Sequence, residues 1–245
     1  MNKLLAIDTS SSACSVAVKN YNQVVDEFIL APQDHIRRLL PMIDRLLVSS
    51  GLHVGALDGI IFSAGPGSFT GLRICLGTVQ GLAFGSDIPV IPISTMLACA
   101  HTGVRTKNIA AQSLVVPCFD ARMGEVYWST FENQQNQTLL RQDSDKVTSM
   151  GDVIVRVEQL IETGSFQQVH LIGDGWGLLD DEAQSSLNRK HENLTIDAAV
   201  YPQARDLLIL AEEYLKYNEP VSVLEAEPHY VRNEVSWKKR EKIRS

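Results

Sequence analysis

Two rhythms of apolar and polar residues organise this chain. It is apolar from Leu4 to Ile7 and ends that run in Asp8-Thr9-Ser10-Ser11-Ser12; Cys14, Val16 and Val18 then alternate with small residues, and Val24 to Leu30 is strand-like again. A period of two broken by turn residues predicts a meander of three strands. From Asp34 to Ser50 the period changes. Ile36, Leu39, Leu40, Ile43, Leu46 and Leu47 recur at helical spacing, with Arg37, Arg38, Asp44 and Arg45 on the other side, so an amphipathic helix is expected. Pro41 lies inside it and should bend its axis, since proline removes a backbone hydrogen bond.

A strand over Gly59 to Ala64 runs into Gly65-Pro66-Gly67-Ser68-Phe69-Thr70-Gly71, and a small-residue segment continues in helical register from Leu72 to Phe84. Ser68 or Thr70 suits the helix cap, and Ser94-Thr95 caps a further helix of about ten residues between strands at Ile88 to Ile93 and Ser113 to Phe119. Alternation of strand and helix points to an α/β fold. At Asp120-Ala121-Arg122-Met123-Gly124-Glu125 an apolar strand again ends in Asp, turns, and returns as Val126 to Phe131, repeating the Asp8 pattern. The repeat suggests two related halves facing a cleft, residues 1–105 and 106–232, with a basic tail at 233–245. In the second half, Gln134 to Asp145 reads as a polar loop, Asp152 to Thr163 as a helix, Val169 to Ile172 as a strand and Ala204 to Tyr217 as the last main helix.

Composition narrows the function. With 245 residues, 44% of them hydrophobic and 21% charged, the chain can bury a sizeable core. Its net charge of −7 repels nucleic-acid backbones, which argues against gripping a nucleic acid unaided. Cys14, Cys75, Cys99 and Cys118 sit in apolar stretches without a CxxC pair, as expected for buried thiols in a reducing compartment. The first apolar run turns polar too soon for a signal peptide, and no run approaches the roughly 20 apolar residues of a membrane span. A cytoplasmic location is expected.

Candidate chemistry is sparse. Asp8, Thr9 and Ser10 at a strand end suit the approach to a metal-bound phosphate, and equally suit a turn held by side chain to backbone bonds. The glycines from Gly65 to Gly71 could present backbone N–H groups to an anion at a helix start. A Walker A lysine is missing, because Leu72 and Arg73 follow Gly71. Gly77 and Gly81 are read as points of close contact within the protein. The six histidines are scattered with no i, i+4 pair, and Ser68 lacks the Gly-x-Ser-x-Gly spacing of a hydrolase elbow.

Four blocks together carry a resemblance: Leu5-Ala6-Ile7-Asp8-Thr9, Ser63 to Arg73, Asp120 to Tyr127, and Tyr230-Val231-Arg232-Asn233. In that order they resemble the TsaB (YeaZ) family of bacterial tRNA threonylcarbamoyladenosine biosynthesis. The resemblance implies an actin-like (ASKHA, ribonuclease H-like) fold with two duplicated subdomains. It also implies a non-catalytic role beside the paralogue TsaD, joined by the ATPase TsaE, in modifying tRNAs that read codons beginning with A. TsaD carries a metal-binding pair of histidines; here His35 is followed four residues later by Leu39, so neither metal nor catalytic residues are expected. Actin-like kinases commonly keep small residues after the second Asp, whereas Arg122 and Met123 occupy that turn here, which implies a filled cleft.

The first two long helices are implied as the partner surface, with Ile36, Leu39, Leu40, Ile43, Leu47, Arg73, Leu76 and Gln80 as candidates, pairing with TsaD or with a second copy when the chain is alone. Asp8, Thr9, Gly65, Gly67, Ser68 and Thr70 are the candidate nucleotide residues. No cofactor is required by the chain itself, ATP or ADP being admitted at a shared interface, and tRNA is reached only through the complex. The rival is an actin-like phosphotransferase using Asp8 and Asp120 around magnesium ATP; the family's old peptidase label lacks an activated nucleophile here.

Overall fold

The structure, a computed structural model, describes residues 1–135 and 138–231. Strands β1 (Lys3–Asp8), β2 (Ala13–Asn20) and β3 (Gln23–Leu30) form an antiparallel meander, and β1 continues in parallel to β4 (Gly59–Gly65) and β5 (Val90–Ser94). The order is β3-β2-β1-β4-β5. The second half repeats it: β6 (Ser113–Arg122), β7 (Glu125–Asn133) and β8 (Leu139–Ser149) make the meander, β9 (Gln168–Ile172) and β10 (Leu194–Asp197) the parallel extension, in the order β8-β7-β6-β9-β10. This duplicated mixed sheet is the actin-like architecture. Among the described residues six α-helices dress it: α1 (His35–Ser49), α2 (Phe69–Phe84), α3 (Thr95–Lys107), α4 (Met150–Thr163), α5 (Asp181–Lys190) and α6 (Ala204–Tyr214).

Sheet coverage explains why β1 is apolar throughout rather than alternating, since successive side chains point to opposite faces and both are buried. Leu5 and Ile7 join Phe62, Met42, Leu46 and Val79 in the core beneath α1 and α2. Leu4 and Ala6 face the other way, onto Leu207, Leu208 and Ala211 of α6. Thus α6, late in the chain, closes the first sheet. On the second sheet α4 packs Val153 and Val157 against Val116 and Trp128, and α3 packs Met96, Cys99 and Ala100 against Val115 and Phe119 on the opposite face.

A buried carboxylate ties α3 to α6. Asp206 accepts hydrogen bonds from Thr102 Oγ1 (2.7 Å), Arg105 Nε (2.8 Å) and Arg105 Nη2 (2.7 Å), and His101 Nδ1 lies 2.9 Å away. Burial alone would raise its pKa, but the bonds from Arg105, His101 and Thr102 outweigh that and hold the carboxyl at about 2.

The structure corrects parts of the element reading. The stretch read as a loop from Gln134 to Asp145 contains most of β8, which pairs Phe131 with Arg141 and Thr130 with Asp143. As an edge strand with one side in solvent it needs no apolar alternation; Asp143 instead pairs with Lys146 and Arg156. Pro41 stays inside a continuous α1. Ser149 caps α4, accepting the Asp152 N–H, so that helix starts two residues earlier than its apolar period indicates. The polar α5 and the short β10 have no counterpart in the sequence reading, and the basic tail lies outside the described residues. All four cysteines are free and buried. Among the described residues no helix is long and apolar enough to cross a membrane.

Candidate functional site

The end of β1 and the glycine loop before α2 meet as one packed unit. Asp8 is wholly buried; Ser10 Oγ (2.9 Å) and Ser63 Oγ donate to its Oδ2, and the Ser10 N–H donates to Oδ1 (3.3 Å). Burial raises its pKa, the hydroxyl and amide donors offset part of that, and the result is about 6. Thr9 Oγ1 donates to the Gly71 carbonyl at 2.8 Å. A Cβ at Gly71 would collide with the Thr9 carbonyl, so only glycine lets these backbones approach this closely.

Three of the backbone donors around this helix start are engaged within the protein. The Ser68 N–H donates to the Ser10 carbonyl (2.7 Å), the Gly71 N–H to Ser68 Oγ (3.3 Å), and the Leu72 N–H to the Ser68 carbonyl (2.8 Å). Ser68 is the N-cap of α2, whereas Thr70 is an exposed residue of its first turn. From the other side comes the C-terminal strap. The His229 N–H donates to the Ala64 carbonyl (2.6 Å), and the His229 carbonyl sits where a Cβ on Gly65, at φ +113°, would come within 2.8 Å. Gly67 likewise has no room for a Cβ against Ser10.

At the second hairpin, Asp120 accepts the Arg122 N–H (2.7 Å) and pairs with its guanidinium (2.8 Å), while Asp174 accepts the Asp120 N–H (3.3 Å). Arg122 and Met123 do not fill the cleft as expected. Both sit at positive φ in a turn that carries their side chains outward, and the strap at His229 packs on the start of the glycine loop at Gly65. A metal site does not fit the residues present. His35 Nε2 lies 3.1 Å from the Ala13 carbonyl, Leu39 stands one turn on, and among the described residues no three His, Cys, Asp or Glu side chains converge as a ligand set.

Between α1 and α2 runs an open groove of about 480 Å³. The expected stripe divides here. Leu39, Ile43 and Leu47 belong to the protein's own core and are corrected from contact residues to structural ones, Leu39 reaching only the groove floor. Ile36 and Leu40 point away from the sheet, 72% and 55% exposed, and line the walls with Arg73, Ile74 and Leu82. Leu76 is partly packed against the core, and Gln80 is exposed beside the groove without lining it. Gly77 and Gly81, expected at internal contacts, instead form the exposed bed of the groove, with open space where a Cβ would point.

At one end, Arg73 lies with its guanidinium carbon 3.9 Å from the centre of the Phe69 ring, and Tyr230 of the strap tilts against that ring at 6.1 Å between centroids. No local pattern announces this aromatic end, because Phe69 and Tyr230 stand far apart in the sequence.

Comparison with known proteins is consistent along the length. The family model described as "TsaD: tRNA N6-adenosine threonylcarbamoyltransferase" matches residues 24–239. A protein of Escherichia coli K12 named "tRNA threonylcarbamoyladenosine biosynthesis protein TsaB" is 37% identical over 97% of each chain, and its namesake in Haemophilus influenzae is 39% identical over 96% of each. The solved structure of YeaZ from Pseudomonas aeruginosa superposes with a TM-score of 0.74 at 33% identity, covering 94% of this chain and all of that one.

Proposed function

The chain belongs to the TsaB family, and from that premise we propose that it serves tRNA threonylcarbamoyladenosine biosynthesis as the non-catalytic partner of a TsaD-like paralogue. The observation that carries the partner role is the α1–α2 groove, in which Ile36, Leu40 and the bare backbone of Gly77 and Gly81 are left uncovered by the chain's own fold. Exposed apolar surface of this kind marks an interaction site. The matching family model bears the paralogue's name, so the occupant can share this fold and offer its own pair of helices to the groove.

The absence of catalysis in this chain is supported by the same geometry. His35 is engaged by a backbone carbonyl and has no second histidine one turn on. Asp8 is held by Ser10 and Ser63, and Thr9 and the Ser10 carbonyl bond the Gly65–Gly71 loop, so part of the would-be phosphate cradle is spent on internal contacts. We extend the proposal to nucleotide accordingly: ATP or ADP is held only where the partner completes the pocket. TsaE-like ATPase and tRNA join through the complex, in the cytoplasm, on tRNAs that read codons beginning with A. Self-association through the groove is the state of the chain without its partner.

Reconstitution tests this. The purified chain is mixed with TsaD-like and TsaE-like proteins, tRNA, ATP, threonine, bicarbonate and the threonylcarbamoyl-adenylate synthase, and modified adenosine is measured with and without it. Formation that depends on the chain, which hydrolyses no ATP alone, is expected. Equal formation in its absence, or rapid solitary ATP turnover, would transfer the case to the phosphotransferase.

A further inference from the structure

We infer that Arg73 is the selectivity group of the α1–α2 groove, admitting a partner helix that places a carboxylate at its Phe69 end; this rests on the partner role proposed above. The groove is lined by Ile36, Leu40, Ile74, Leu82 and glycine backbone, and Arg73 brings its one formal charge. Among the described residues no acidic side chain pairs with Arg73. Its guanidinium face rests on Phe69. Stacking of that kind fixes the plane of the group and leaves its edge N–H donors directed outward, the arrangement that suits bidentate binding of a carboxylate. Tyr230 tilts against the same ring, so the C-terminal strap contributes to the platform.

The bed of the groove selects a helix. Gly77 and Gly81 are one turn apart with nothing above them, which lets another helix approach α2 closely. Charge then favours the paralogue over a second copy of this chain. The α2 segment Phe69–Phe84 contains no acidic residue, and the acid at the start of α1, Asp34, is already bonded to Arg38 at 2.7 Å. Within α1 and α2 of a second copy, Asp44 is the one acid left to answer Arg73. Once water is excluded, an arginine left without a carboxylate opposes docking, so the same group that attracts the right helix rejects an uncharged one.

The test uses the full chain and the TsaD-like paralogue from the same organism, with affinity measured by calorimetry at two salt concentrations. Arg73→Glu is expected to weaken binding by about tenfold or more, and Arg73→Met, which keeps the stem over Phe69, by a smaller factor with loss of the salt dependence. Arg189→Glu on α5 makes the same charge change away from the groove and should bind as wild type. Ile36→Arg should abolish binding. If Ile36→Arg abolishes binding while Arg73→Glu leaves it intact, the groove docks the partner and the carboxylate inference is wrong. If Ile36→Arg also binds normally, the docking reading itself fails. Loss of self-association in Arg73→Glu that Asp44→Arg restores, with paralogue binding unchanged, would assign the groove to a second copy and overturn the choice of occupant.

Discussion

Replacing Asp8 by Asn should stabilise the protein at neutral pH. The carboxyl is fully buried and its pKa stands at about 6, against 3.8 for the ordinary group. A gap of that size corresponds to about 3 kcal/mol, at 1.36 kcal/mol per unit, by which folding favours the protonated acid over the carboxylate. Because the folded-state value is the higher one, the contribution is fully present below the unfolded value of 3.8, declines as pH rises, and is lost once pH passes about 6. Asn keeps an oxygen for the Ser10 N–H and offers an amide where Oδ2 meets the Ser10 and Ser63 hydroxyls, which can rotate to accept. Some of the gain is surrendered because charged acceptors make the stronger hydrogen bonds, so an increase of about 1–3 kcal/mol at pH 7.5 is expected. Urea unfolding of both proteins from pH 4 to 8 measures it. The difference between them isolates Asp8 from other titrating groups and should grow with pH across that window, then level off. A variant less stable than wild type at pH 7.5, with a difference flat in pH, would refute the argument.

Three further outcomes follow from contacts described above. Gly71→Ala forces a Cβ into the Thr9 carbonyl and should lower stability by at least about 1–3 kcal/mol, read as a fall in melting temperature. Asp206→Ala removes the acceptor shared by Arg105, Thr102 and His101 and should cost about 3–5 kcal/mol near pH 7. Since Asp206 is held low, its contribution is present above the usual carboxylate range and disappears as pH falls through about 2, so wild type and variant should converge in acid. Leu39→Ala should cost about 2–5 kcal/mol and its neighbour Leu40→Ala within about 0.5 kcal/mol, because the first is core and the second faces the groove; equal losses in chemical denaturation would contradict the assigned helix face.

The paired meanders are legible in the amino-acid order, because a period of two and strand-ending acids such as Asp8 and Asp120 are local signals. Their repetition is enough to indicate the duplicated fold. β8 is not legible in that way, since its stability comes from pairing with β7 and from ion pairs at Asp143, neither of which leaves an apolar rhythm. On α1 the apolar stripe is wide enough to serve two surfaces, and spacing alone does not separate Leu39, which meets the sheet, from Leu40, which does not. The groove over Gly77 and Gly81 is hidden for a related reason: a glycine pair signals close approach without saying by whom. The strap against Gly65 depends on a contact between residues 65 and 229, beyond any local pattern.

The position of α6 bears on how the protein is made. Residues of the first sheet are all synthesised by Ser94, yet on one face Leu4, Ala6, Ile61 and Ile91 are bare of all but Ala98 of α3 until the segment from Ala204 has emerged. At about 5–20 residues per second, that bare apolar face persists on the ribosome for seconds while the whole second sheet is translated. The amino-terminal half is thus committed to wait for the carboxy-terminal helix to complete its core.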